Sequence, residues 1–162
     1  MRGQVYFERD ILAPQLERLN VQAFRYDGYV ARISSMKSYF NENMKMLDDV
    51  NVDALFSAGN PIYTKIRDDN PARYINGSKV SNIMAADGCI IEGEVENSIL
   101  FRGVKVGKGA WVKNCVLMQD TVIEADAGVE YVVTDKNATI TRGKIIKGTV
   151  TFPVYVAKYQ IV

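Results

Sequence analysis

Three carboxylates, Asp120, Glu124 and Asp126, sit close together, and two thiols, Cys89 and Cys115, stand upstream of them. Clustered acids can serve as a general base, and thiolates can attack a substrate or hold zinc. The usual third ingredient is missing, because the sequence contains no histidine. Without an imidazole that titrates near neutral pH, the thiols lack co-ligands and an acyl-transfer site lacks its ordinary base. The acids therefore read as a solvated patch on a turn, the cysteines as reduced, buried thiols, and no metal site is expected.

What positions these groups is a six-residue rhythm. One apolar row runs Ile83, Cys89, Val95, Leu100, Val106, Val112, Met118, Ile123, Val129, Thr134, Ile140 and Ile146. Most steps are six and three are five. A second row of mostly small or β-branched residues runs Ser98, Val104, Ala110, Val116, Val122, Ala127, Val133 and Ala138, with Gly93, Gly103, Gly107, Gly109 and Asn137 between. This pattern predicts a mostly β fold, a left-handed parallel β-helix of hexapeptide repeats wound as a triangular prism. At eighteen residues per turn, residues 83–146 supply between three and four turns. The tail "GTVTFPVYVAKYQIV" leaves the rhythm and alternates like an ordinary strand, with Pro153 marking an edge. The expected β-helix domain is 80–162 with this tail as its lower cap, and residues 1–79 are expected over the other end.

Residues 1–50 read as mixed α/β. "RDILAPQLERLN" sets Ile11, Leu12, Leu16 and Leu19 on one helical face, with Asp10 able to cap it. "VQAFRYDGYVARI" predicts a hairpin about Asp27-Gly28. Ser34 or Ser35 can cap a second helix, "MKSYFNENMKMLDDV", whose Met36, Tyr39, Phe40, Met44 and Leu47 form a core-facing stripe. Residues 51–79 hold Asn60-Pro61, Asn70-Pro71 and Asn76-Gly77 and read as a connector, with one strand at "IYTKIR".

The chain of 162 residues carries a formal net charge of +1, so nothing in its charge calls for nucleic acid or an anionic membrane as partner. No apolar run approaches the ~20 residues that cross a bilayer. With no signal-peptide core at its start, a cytoplasmic location is expected.

Hexapeptide prisms serve as acyltransferases, which use a histidine base, or resemble γ-type carbonic anhydrases, whose zinc needs histidine ligands. Neither chemistry suits this sequence. A scaffold that joins subunits is the remaining use, and a histidine-free hexapeptide acyltransferase is the rival reading.

The front segment "YFERDILAPQLERLNVQAFRYDGYVARISSMKSYFNENMKML" resembles the end of the nucleotidyltransferase domain in the glucose-1-phosphate adenylyltransferases (ADP-glucose pyrophosphorylases). "GCIIEGEVENSILFRGVKVGKGAWVKNCVL" is similar to the prism of the same family. Two unrelated signatures in the right order cover essentially the whole chain. The family pattern starts earlier, with a glycine-rich nucleotide loop, so the chain is expected to be the carboxy-terminal portion of a longer subunit.

In that family a "GYW-DVGT" loop carries an aspartate that helps to hold magnesium. Here "GYVARISS" puts Arg32 at the aspartate position and Ser34 and Ser35 at the glycine and threonine positions. A guanidinium cannot ligate a hard cation. The resemblance therefore implies a degenerate loop with no catalytic residue and no cofactor in this chain, with magnesium only in an active partner. That pattern resembles the family's non-catalytic glycogen biosynthesis subunit, which pairs with a catalytic ADP-glucose pyrophosphorylase subunit in a homo- or hetero-oligomer. It also implies an effector cleft between the two domains, for which Arg73 in "NPARY" and nearby Arg67 are the candidates. Ordinary solvated arginines remain the alternative for all three positions, and Lys144 and Lys147 are weaker candidates.

Overall fold

The computed structural model describes residues 3, 5–56, 59, 61–63 and 68–162. Among these residues thirteen strands, all paired in parallel, build a solenoid of about four turns. They sort into three flanks. The first flank stacks β1 (Arg73–Tyr74), β3 (Ile90–Ile91), β5 (Lys105–Val106), β8 (Val122–Ile123) and β11 (Thr139–Ile140). The second stacks the leading halves of β2 (Lys79–Ala85) and β4 (Glu94–Leu100) on β6 (Trp111–Lys113), β9 (Gly128–Glu130) and β12 (Ile145–Lys147). The third stacks their trailing halves on β7 (Val116–Leu117), β10 (Val132–Thr134) and β13 (Val154–Val156).

The interior is a set of columns along the axis. Ile91, Val106, Ile123 and Ile140 fill the first flank, and Val95, Val112 and Val129 the second. Leu100, Leu117, Thr134 and Val156 fill the third. All are buried, each apolar one contributing roughly 1.5–3 kcal/mol. Two cross-strand polar groups are satisfied inside: Thr121 Oγ1 lies 2.8 Å from Thr134 Oγ1, and Ser98 Oγ accepts from the Cys115 N–H at 3.0 Å.

The turn is seventeen residues long, not the eighteen expected: Asn97 stacks on Asn114 at a sequence distance of 17. The third flank is a residue short, so Leu117, not Met118, points inward. Cys89 falls in the small-residue row beside Val104, and Ile91 takes the inward place predicted for it. Val116 and Val133, predicted beside the inward row, face outward instead, beneath Phe40. One turn is shorter still, 15 residues from Asn82 to Asn97. Gly93 makes that shortcut, because a Cβ there would lie 2.2 Å from the Ala110 carbonyl oxygen.

The corners demand left-handed backbone, which asparagine, aspartate and glycine tolerate best. One corner is an amide ladder: Asn82 Nδ2 donates to Asn97 Oδ1 at 2.8 Å, and Asn97 Nδ2 to Asn114 Oδ1 at 2.6 Å. All three have φ between 45° and 50°, and Tyr131 continues the column at 52°.

The solenoid begins inside the stretch read as connector, since Arg73 and Tyr74 already pair with Ile90 and Ile91. Of the predicted strand at 62–67, residues 64–67 lie outside the described residues, and 62–63 have no regular structure.

Ahead of the solenoid, Phe7–Leu12 form a π-helical turn and Ala13–Gln15 a 3-10 turn, where one regular helix was expected. Asp10 does not cap this segment from within; its carboxylate accepts from the Val5 and Tyr6 N–H groups. The predicted hairpin is absent: residues 21–33 hold no strand and, Tyr29 apart, are exposed. An isolated two-stranded hairpin is marginal in water, and no described sheet lies beside it to pair with.

The helix does form. Ser35 caps α1 (Met36–Met44) in a reciprocal box with Ser38. A 3-10 turn at Lys45–Leu47 follows, and Asp48 caps α2 (Asp49–Leu55), so the single helix expected to residue 50 is two. Phe40 packs on Val116 and Val133, with Tyr39, Met44 and Tyr131 around them. The front segment thus docks on the outer side of the third flank, not over the solenoid's end.

Candidate functional site

The loop of residues 28–35, which holds Arg32, Ser34 and Ser35, lies just before α1. Arg32 is exposed, and among the described residues none forms an ion pair with its guanidinium. Ser35 spends its hydroxyl on the helix cap, accepting from the Ser38 N–H at 3.1 Å. The Ser34 N–H donates to Ser38 Oγ at 2.9 Å. The loop offers a cation and, at Ser35, a hydroxyl committed to the cap, a donor set that does not fit Mg²⁺, which requires oxygen ligands in near-octahedral array. Tyr29 anchors the loop by donating to Glu42 Oε2 at 3.0 Å. Lys45, 2.7 Å from Glu42, and then Tyr29 hold that carboxyl below its ordinary value.

Arg73 is exposed on β1, on the first flank, whereas the Arg32 loop leads into the helix that docks on the third. The two do not share an element or a flank. Arg67 lies outside the described residues.

The three acids are not brought together. Asp120 and Asp126 occupy left-handed corners, φ 57° and 61°, at opposite ends of the first flank. Their carboxylates lie over Gly103 and Gly109 of the preceding turn, where a Cβ would meet Asp120 Oδ1 at 2.3 Å and Asp126 Oδ1 at 2.4 Å. Glu124 accepts from the Arg142 N–H at 2.8 Å. They close turns. Both cysteines are free and fully buried, and burial pushes the Cys115 thiol up to about 12. Such a thiol is no nucleophile. Among the described residues no three metal-ligating side chains cluster.

A feature not singled out from sequence is the outer side of the second flank. Glu96, Lys113, Glu130 and Lys147 stand in one column at successive rungs, −, +, −, +. Lys113 Nζ lies 3.1 Å from Glu96 Oε2 and 4.0 Å from Glu94 Oε1, and Lys147 Nζ lies 3.3 Å from Glu130 Oε2. Glu96 raises the Lys113 ammonium above its usual value. Beside this column Trp111, the single tryptophan of the sequence, lays its indole across Gly128, where a Cβ would fall 2.2 Å from Cε2. Lys147 Nζ sits 5.1 Å from the ring centroid. A signal was present: charges alternating at seventeen-residue steps, visible once the turn length is known.

With this geometry in hand, a family profile described as "GlmU-like, C-terminal hexapeptide" matches residues 66–149. The chain belongs to that family. Within it, the chain is similar to glycogen biosynthesis protein GlgD of Bacillus subtilis (strain 168), 40% identical over 140 residues, 86% of this chain and 41% of that protein. It is 50% identical to GlgD of Geobacillus stearothermophilus over 70 residues, 43% of this chain and 20% of that protein. It is 38% identical to the glucose-1-phosphate adenylyltransferase of Geobacillus stearothermophilus over 110 residues, 66% of this chain and 28% of that protein. The chain spans about two fifths of the length of the Bacillus relative. Among the described residues no helix is long and apolar enough to cross a membrane.

Proposed function

We propose that this chain acts in bacterial glycogen biosynthesis as the assembly and modulation portion of a non-catalytic, cytoplasmic subunit that pairs with a catalytic glucose-1-phosphate adenylyltransferase. The observation that carries the reading is the similarity to GlgD, which spans 140 residues and so takes in much of the front segment as well as the solenoid. Arg32 supports the non-catalytic half: a cation occupies the position at which the resemblance expects a metal-holding acid. The solenoid gives such a subunit rigid flanks for contact, and its buried, neutral thiols and turn-closing acids supply no chemistry of their own.

Co-expression with an adenylyltransferase subunit tests both halves. Co-purification and a changed kcat or effector response of the pair are expected, with no ADP-glucose formed by this chain alone. Product formed by this chain alone would end the non-catalytic reading, and failure to co-purify would end the pairing. A thermal shift with acetyl-coenzyme A would revive the acyltransferase rival.

A further inference from the structure

The second flank carries a charge pattern that matches itself in reverse. Consider a two-fold axis lying along the strands, in the plane of the flank, midway between the Trp111 and Gly128 rungs. Such an axis keeps each position along a strand and inverts the order of rungs. The column Glu96, Lys113, Glu130, Lys147 then faces its own inverse. Lys113 meets Glu130 of the second copy, and Glu96 meets Lys147 of the second copy, each twice. An axis along the solenoid instead sets Glu96 against Glu94 of the copy at the same rung, like against like. The antiparallel arrangement alone pairs every charge of the column.

The apolar content sits where such an axis passes. Trp111 reaches over Gly128, so its half-buried indole lies between the two central rungs. Two indoles meet there across the axis, with the Lys147 ammonium of each chain close to the ring. Tryptophan surrounded by charge is the composition of an interface centre with a polar rim. The docked helix covers the third flank and leaves this one open among the described residues.

We infer that the second flank is a two-fold docking surface for a second copy of this chain, antiparallel, centred on Trp111. The inference rests on the flank's own charges and goes beyond pairing with an adenylyltransferase. Four of the five rungs, β4 to β12, face one another across this axis; at about 4.8 Å each, with two or three residues per rung, they cover about 200 Å² per copy, well below the ~800 Å² of a tight interface. The pairing is accordingly weak and salt-sensitive.

Sedimentation equilibrium of the chain from about 10 μM to about 1 mM, read together with tryptophan emission, tests it. A monomer–dimer equilibrium is expected, with emission shifting to the blue as the indoles are covered. Raising salt from about 0.05 M to about 0.5 M weakens it several-fold. Lys113→Glu weakens it about tenfold, and adding Glu130→Lys restores it, because the double exchange re-pairs the charges across the axis. A monomer throughout, association indifferent to Lys113→Glu, or a double variant no better than the single overturns the inference. A chain that binds an adenylyltransferase subunit yet stays monomeric alone overturns it too, and leaves the functional reading standing.

Discussion

Solenoid and front segment draw on similar apolar side chains and use them differently. From Cys89 to Val156 the solenoid buries twenty apolar residues, while among the described residues ahead of it only Phe40 is buried. Ile11, Leu16 and Leu19 remain 41%, 52% and 47% exposed, and Phe24 and Val30 reach 89% and 72%. A repeat brings its own partner: every seventeen residues the chain returns beneath itself and covers the column it left. A helix has no such recourse. Its stripe stays wet unless another element meets it, and here one aromatic of α1 does so.

The largest effect should come from the solenoid's interior. Leu117→Ala leaves a void between Leu100 and Thr134 that neighbouring turns cannot close, and should cost about 3 kcal/mol in global denaturation. Phe40→Ala should remove a comparable amount, about 3 kcal/mol, but only from the docking of α1. Hydrogen exchange at residues 36–44 should rise while the main melting transition holds. If both variants shift the global transition equally, the two regions are one cooperative unit and the contrast fails.

A smaller effect belongs to the corner. Asn97→Ala deletes both amide hydrogen bonds of the ladder and places alanine at φ 45°, for about 1–2 kcal/mol by denaturant titration. Asn97→Gly should recover part of that, since glycine adopts the same backbone freely.

The smallest concerns pH. Glu42 is held below its ordinary value near 4.5 by Lys45 and Tyr29. Its contribution is therefore complete above that value and is lost as pH falls through the depressed one. Acid titration by NMR should loosen the tie from Tyr29 to α1 in that window, with solenoid amides unchanged. Loss of solenoid signals in the same window would couple the halves.

The fold was legible because its signal is redundant. Any few of Val95, Val106, Val112, Ile123, Val129 and Ile140 establish the period, and their neighbours repeat it. The phase was harder. Leu117 and Met118 are adjacent and both apolar, so only the ladder of Asn97 and Asn114 shows which one turns inward. The start was hidden for a similar reason: a two-residue strand at Arg73–Tyr74 is recognisable only through the turn stacked on it. The hairpin misled because Asp27-Gly28 is a genuine turn signal, yet a turn makes strands only where a sheet receives them. Arg32 and Ser35 were readable as residue types, and the structure adds that the hydroxyl belongs to a helix cap. The second flank needed the three-dimensional stack, since no local window joins Glu96 to Lys147.

The seventeen-residue turn also fixes how this chain can change length. Removing or adding one residue inside a flank would turn that strand's core side to the surface, unless a corner takes up the difference, as the corner at Gly93 does in the fifteen-residue turn. Growth is therefore confined to whole coils, to corners, or to places where the path already bulges. The loop before β13 is such a place: Val133 pairs with Tyr155 where one more ordinary coil would have brought Val150. Natural variation and grafted peptides alike should collect at that detour and at the corners, while the strands of the flanks pass only as complete units.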